Sequence, residues 1–327
     1  MFIFYEHYAR ILKNCQTDMI AIEKTTNKRE EINQKLAGYF LSLEPGINIE
    51  SVRDLAFSLN ASIGLISESI TNLEESGAIR IERRGQLGSF LLSSSAGKLW
   101  KAASNEPLVI SHTLPSNHRY EGLATALKMT FNKEEIDTYF IFIRGSKTRL
   151  KALREKRCHI AIVSQFAAEG LKSKETEIAA TLQPGSFAKS HQVFYRTDLN
   201  KNKSPIDIAI DTDSFDQSQL SNIEFKDKHV NFQRITFMNI HHYLSTKNVD
   251  MAIWTEEDME NQLGENIQKK PLSESTLEII RDRNTKAALV VRADDIGTCQ
   301  LIQKIIDGEQ ISKIQQAVIS GEIIPEY

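Results

Sequence analysis

Three arginines crowd a short stretch rich in glycine: Arg80, Arg83 and Arg84, with Gly85 and Gly88 following. Guanidinium groups on a tight turn can hold phosphate oxygens and fix a protein's register on double-stranded DNA. Just upstream, Ser62, Gly64, Ser67, Glu68 and Asn72 are small or hydrogen-bonding residues within one helical stretch. A carboxylate can accept from the cytosine amino group and an amide can pair with adenine, so Glu68 and Asn72 are candidate base readers. Ser51 and Arg53 open an earlier segment, where Arg53 could clamp the DNA backbone. No catalytic constellation accompanies them. Serine, histidine and aspartate are present, but no nucleophile elbow or zinc motif occurs. His241 and His242 are adjacent, hence about 100° apart on a helix, and lack a partner pair, so neither metal nor cofactor is expected.

The elements that must carry these residues are written as patterns. Phe4, Tyr8, Ile11, Cys15, Met19 and Ile22 recur at helical spacing, and a second helical pattern runs from about Glu30 to Leu43, where Pro45-Gly46 stops it. Ser51-Val52-Arg53-Asp54 has the serine-x-x-acid form of a capping box, after which Val52, Leu55, Ala56 and Leu59 make the buried stripe of a helix. Beyond the turn Asn60-Ala61-Ser62, a further helix buries Ile63, Ile66, Ile70 and Leu73, leaves Gly64, Leu65, Glu68 and Asn72 outside, and closes at Gly77. Ile79–Glu82 and Ser89–Leu92 then read as strands around the basic tip, so a helix-turn-helix is followed by a wing.

A stretch over residues 94–105, with a short helical piece from Gly97 to Ala102, is expected to link this block to the remainder. Beyond it, short apolar or β-branched runs at Leu108–His112, Thr138–Ile143, His159–Val163, Ile206–Ile210, Val249–Trp254 and Ala287–Arg292 are mostly followed by helical patterns. They imply βαβ units, largely parallel sheets and an α/β domain of two lobes. One lobe is expected over about 106–164 and 272–327, the other over about 175–262. Ligands of such sheets sit where strand carboxyl ends meet helix N-termini. That rule selects Ser116, His118, Arg119 and Tyr120 after the first strand, and Arg144, Gly145 and Ser146 after the second, with Ser146 as N-cap. It adds Ser164, Asp211, Ser214 and Trp254 at the ends of others. Arg144 beside Gly145 suits a small anionic effector.

With 327 residues, 41% hydrophobic and 25% charged, the chain can fill two or three domain cores. The apolar start is interrupted at once by Glu6, His7 and Arg10, and no run reaches the roughly 18–20 apolar residues of a membrane span, so a cytoplasmic protein without membrane contact is expected. Cys15, Cys158 and Cys299 are too few and too scattered for a disulfide framework. The net charge of −3 excludes coating of nucleic acid by bulk electrostatics, so any DNA contact must be local.

Ser51-x-Arg53-x-Leu55-Ala56, Leu73-Glu74-x-x-Gly77 and Ile81-Glu82-Arg83-Arg84-Gly85-x-x-Gly88-Ser89-Phe90 resemble the winged helix of GntR-type regulators. Where that family often has arginines at the start of the recognition helix, Ile63 and Ser67 stand here. A more specific likeness covers about residue 27 to the end. Arg80 to Gly85, Tyr120-Glu121-Gly122-Leu123, Arg144-Gly145, Ala167-Ala168-Glu169, His191-Gln192, Ala252-Ile253-Trp254, Ser320-Gly321-Glu322 and Tyr327 resemble the YhfZ family of regulators. This resemblance implies a winged helix over residues 26–93 joined to a domain like type 2 periplasmic binding proteins. It also puts Tyr120, Glu121, Arg144, Ser164, His191 and Trp254 at the head of the ligand residues. Residues 1–25 extend beyond the shared pattern; their helix is expected either to join two subunits into a homodimer on a two-fold operator or to pack on its own winged helix. The expectation is a non-enzymatic, ligand-responsive regulator of transcription. A metabolite-processing enzyme on the same scaffold, or an adaptor whose winged helix binds protein, are the alternatives.

Overall fold

The computed structural model describes residues 28–103, 106–200, 202–260, 264 and 266–327. The apolar pattern from Phe4 to Ile22, and Cys15 with it, lies outside them. Contacts divide the chain into two units, Met1–Glu106 and Pro107–Tyr327.

In the first unit, residues 28–42 form helix α1, which buries Ile32, Leu36, Ala37, Phe40 and Leu41 along one stripe. Strand β1 (Asn48–Ile49) leads to α2 (Val52–Ser58), capped as expected: the Ser51 hydroxyl accepts from the Asp54 N–H and donates to the Asp54 carboxylate. Asn60 takes the left-handed conformation between helices, and Ser62 caps α3 (Ile63–Glu75). The buried stripe of α3 is Ile66, Ser69, Ile70 and Leu73. Ile63, assigned to that stripe from spacing, is instead exposed, because it lies in the first turn next to the cap. Strands β2 (Ile79–Arg83) and β3 (Ser89–Ser94) form the hairpin, closed by a 3-10 turn at Gly85–Leu87, and the sheet order is β1-β3-β2. The stretch read as a linker is mostly packed structure: helix α4 (Ala96–Ala103) follows β3 at once and buries Leu99 and Trp100.

The second unit contains two five-stranded sheets with matching order. The first comprises β4 (Leu108–His112), β5 (Thr138–Phe142), β6 (Ile160–Ser164), β7 (Thr176–Thr181) and β13 (Ala287–Arg292), in the order β5-β4-β6-β13-β7. The second comprises β8 (His191–Arg196), β9 (Ile206–Ile210), β10 (Val230–Arg234), β11 (Met251–Thr255) and β12 (Ile267–Pro271), in the order β10-β9-β11-β8-β12. One strand of each sheet, β13 and β8, runs against its neighbours, so the sheets are less parallel than the pattern implied. These are the strands entered each time the chain crosses between lobes, over residues 182–190 and 281–286. Residues 176–181 fall in the stretch expected for the second lobe; as β7 they pair with β13 and so belong to the first.

Helices α5 (His118–Lys133), α6 (Ser146–Arg154), α7 (Gln165–Gly170), α12 (Ile296–Ile305) and α13 (Gly308–Ile319) belong with the first sheet. With the second go α8 (Phe215–Glu224), α9 (Ile240–Ser245), α10 (Glu256–Glu260) and α11 (Glu274–Ile280). Separate apolar clusters fill the lobes, one around Leu153, Val163 and Val290, the other around Val193, Leu220 and Ile253. The whole is a two-lobed α/β domain. Helices α5 and α13 meet at Gly122, where an added Cβ would lie 2.9 Å from the Gln315 carbonyl oxygen. Gly122→Ala is therefore expected to lose about 1–3 kcal/mol through overpacking, seen as a lower urea midpoint at unchanged slope. A midpoint equal to or above that of the native chain would contradict so close an approach.

Candidate functional site

The carboxyl ends of β4, β5 and β9 turn toward one another across the lobes, and a cavity of about 50 Å³ lies between them. Each lobe supplies charge. The Arg144 guanidinium reaches across to Asp211 at 2.7 Å and also binds Asp213. Asp211 is almost fully buried and receives, besides Arg144, the backbone N–H groups of Asp213 and Phe237. Lys147 donates to the Thr212 carbonyl, and the Phe215 N–H donates to the Ser146 hydroxyl. On the opposite rim, Asp258 accepts from Ser116, Asn117, Trp254 and Thr255. The two lobes are thus fastened from both sides, and this is a closed form.

Of the residues selected from sequence, Ser116, Tyr120, Arg144, Gly145 and Ser146 line this cavity, as do His191, Asp211, Ser214 and Trp254. His118, Arg119 and Glu121 do not: they line an outer groove, because successive residues of α5 point about 100° apart and only Tyr120 faces inward. Arg119 is held by Glu257, and Glu121 by His118 and Tyr327. Ser164 sits behind the cavity, donating to Asp216 at 2.5 Å while capping α7. Ser146 is not the N-cap of α6; Gly145 is, at φ +80°, and no side chain caps that helix. An added Cβ at Gly145 would lie 2.6 Å from the Asp213 carbonyl oxygen, so the glycine is what lets the lobes meet there.

Several lining residues escaped the strand-end rule: Thr113, Arg149, Phe187, Phe237 and Asp258. Arg149 lies one turn into α6, where the rule does not look, although its spacing of four from Gly145 places it over the same helix end. Its exposure is 3%, and its Nε and Nη1 donate to the carbonyls of Ile162 and Ile143. Burial lowers its pKa to about 10. Phe237 stacks on Trp254 at 4.8 Å, forming an apolar wall.

On the winged helix, the outward side of α3 presents Ser62, Gly64, Ser67, Glu68 and Asn72. Several candidates already have partners. Ser51 and Ser62 are engaged as N-caps, and Glu68 is clamped by Arg29 of α1 at 2.7 and 2.8 Å. Arg83 forms a bidentate pair with Glu74 of α3, and Arg84 pairs with Glu82 and lies over the Phe90 ring. Arg53 and Arg80 are exposed, with no ion-pair partner among the described residues. Gly88, at φ +91°, serves the turn and the close passage of Asn48.

A helix-turn-helix with a wing, joined to a two-lobed α/β domain, is the architecture of a DNA-binding regulator. Residues 96–327 match the YhfZ C-terminal domain, and residues 45–91 match a helix-turn-helix domain family. The chain belongs to the YhfZ family. It is 30% identical to the uncharacterized protein YhfZ of Escherichia coli (strain K12), over 89% of this chain and 95% of that one. The crystal structure of YhfZ from Shigella flexneri matches with a TM-score of 0.59 at 27% identity, covering 71% of this chain and 98% of its own.

Burial leaves its mark on the titration of the cleft. His112 and His191 are both held near 4, well below the ordinary imidazole value of 6.5. Burial instead raises Asp216 from 3.8 to about 6. As pH falls below 6.5, the unfolded chain takes up two imidazole protons that the folded chain refuses, so stability drops; below 6, uptake by folded Asp216 offsets part of that loss. At about 1.4 kcal/mol per pH unit, each histidine accounts for about 2 kcal/mol of stability lost on going from pH 7.5 to 5. The Nε2 of His112 has no partner among the described residues, and its ring contacts Tyr120, Phe140 and Phe142 edge-on. His112→Phe should therefore shrink the acid loss by about 2 kcal/mol in urea unfolding at the two pH values. An unchanged loss would show that His112 is not the group being titrated.

Proposed function

We propose that the chain is a transcriptional regulator that binds double-stranded DNA through its winged helix and takes a small anionic effector between the lobes of its second unit. The observation that carries this reading is the Arg83–Glu74 pair, which ties the arginine-tipped hairpin to the helix bearing Asn72 and Ser67. A helix fit for the major groove and a ribbon fit for the adjoining backbone thereby form one surface. Asn72 would read a base edge, and Arg53, Arg80, Arg83 and Arg84 would meet phosphates. The protein is proposed to act in the cytoplasm as a homodimer on a two-fold site, with residues 1–25 as the joining segment and no catalytic step. Closure of the lobes around the effector is the signal.

An adaptor role is the second reading, favoured by Phe57, which is 90% exposed on α2, and by exposed Leu87 at the wing tip. Salt dependence of DNA binding separates the two. With duplex DNA and the full chain, joint Arg83→Ala and Arg84→Ala substitution should weaken binding on all sequences by about tenfold or more and flatten the slope of log affinity against log salt by about two charges. If the slope of the doubly substituted chain equals that of the native one, the wing does not touch DNA.

A further inference from the structure

The cleft has an imbalance that sequence reasoning did not reach. Its carboxylates are spent: Asp211 is met by Arg144 and two backbone N–H groups, Asp258 by four donors, and Asp216 by the Ser164 hydroxyl. One of its cations is not. Arg149 has no carboxylate within 4.0 Å among the described residues, buried Asp216 acting on it only from farther away, and among those residues its Nη2 has no hydrogen-bond partner although Nε and Nη1 are both occupied. The residue is almost fully buried yet lines the cavity. A buried cation left in this state costs free energy unless something anionic joins it.

Three further features point the same way. Helix α6 starts at this cavity without a side-chain cap, so its first N–H groups and the positive end of its dipole face the same space. The Asn284 amide nitrogen, which can only donate, lies 2.8 Å from Nδ1 of His191, leaving the proton of the neutral ring on Nε2. His191 therefore offers a donor, and the Tyr120 hydroxyl, also without a partner among the described residues, offers another.

The geometry points to a small monocarboxylate as the ligand of this cleft, bound by Arg149 and the open end of α6, with Arg144 acting as the clasp between lobes. This deepens the effector reading above and rests on it. One unpaired guanidinium matches one negative charge; a second charge on the ligand would lie beside Asp211 and Asp258. A zwitterion is disfavoured for the complementary reason, since no carboxylate remains open to an ammonium group. The cavity of about 50 Å³ equals roughly four sites of the 10–15 Å³ that a water requires, which limits the closed form to acids of two to four carbons. Stacked Phe237 and Trp254 would cover their apolar end.

The test is calorimetric titration of the full chain, without DNA, using acetate, lactate and pyruvate. Acetamide, lactamide and pyruvamide serve as uncharged isosteres, and inorganic phosphate as the competing anion. At least one of the three acids should bind, its amide at least tenfold more weakly, and phosphate not at all. Arg149→Lys keeps the charge but cannot serve two carbonyls and a ligand together; it should weaken acid binding at least tenfold at unchanged circular dichroism. No binding by any of the acids, equal binding of acid and amide, or binding of phosphate in their place would overturn the assignment, as would a folded Arg149→Lys chain with undiminished affinity. If that variant does not fold, the contrast between acid and amide on the native chain decides. Since no DNA is present, the outcome is independent of whether the wing holds a duplex.

Discussion

Everything in the second unit follows from the two crossings of the chain between lobes. Each crossing delivers a reversed strand, β8 or β13, into a sheet whose other strands share one direction. The two sheets therefore turn their carboxyl ends toward a common cleft. Loops after β4, β5 and β9 then meet without any need for a long connection, and helices α6 and α8 begin there. The crossing segments lie side by side, with Phe187 and Ala188 bonded to Thr285. His191 and Asn284 are fixed to each other at the edge of this pair, so a cavity-lining ring is anchored beside the crossing segments.

Within that frame the charges divide into those that join the lobes and one that does not. Arg144, Lys147, Asp211 and Asp258 are consumed in cross-lobe bonds. Arg149 is consumed in organising its own lobe, fixing the carbonyls of Ile143 and Ile162. The same guanidinium thereby shapes the floor of the cleft and keeps a nitrogen in reserve. Such a dual role explains why arginine rather than lysine suits the position, since the planar fork has donors in several fixed directions.

The elements of the winged helix were readable from sequence because each is announced locally: serine caps, a left-handed turn, a glycine-rich tip. The strands β4, β5, β6, β9, β11 and β13 were likewise readable as apolar runs. Strands β7, β8, β10 and β12 were not; β10 and β12 are edge strands carrying residues such as Asn231, Gln268, Lys269 and Lys270 and lack a buried run. The reversal of β13 and β8 was invisible for another reason: strand direction is set by partners far along the chain. In the cleft, residues at strand ends were found by rule, whereas Arg149 and Asp258 lie within helices and are brought inward by helix rotation and lobe closure. The pairing of Glu68 with Arg29 and of Arg83 with Glu74 could not be read, since both partners look like ordinary surface charges until the helices are packed.

Those pairs bear on how the hairpin meets its surroundings. Glu74 and Glu82 act as tethered counterions: they travel with the protein and cannot be diluted away. A passing polyanion must evict a carboxylate rather than displace loose ions, so casual adhesion gains little. Only a partner shaped to offer each arginine a better oxygen, while giving the released glutamates somewhere to turn, recovers that loss.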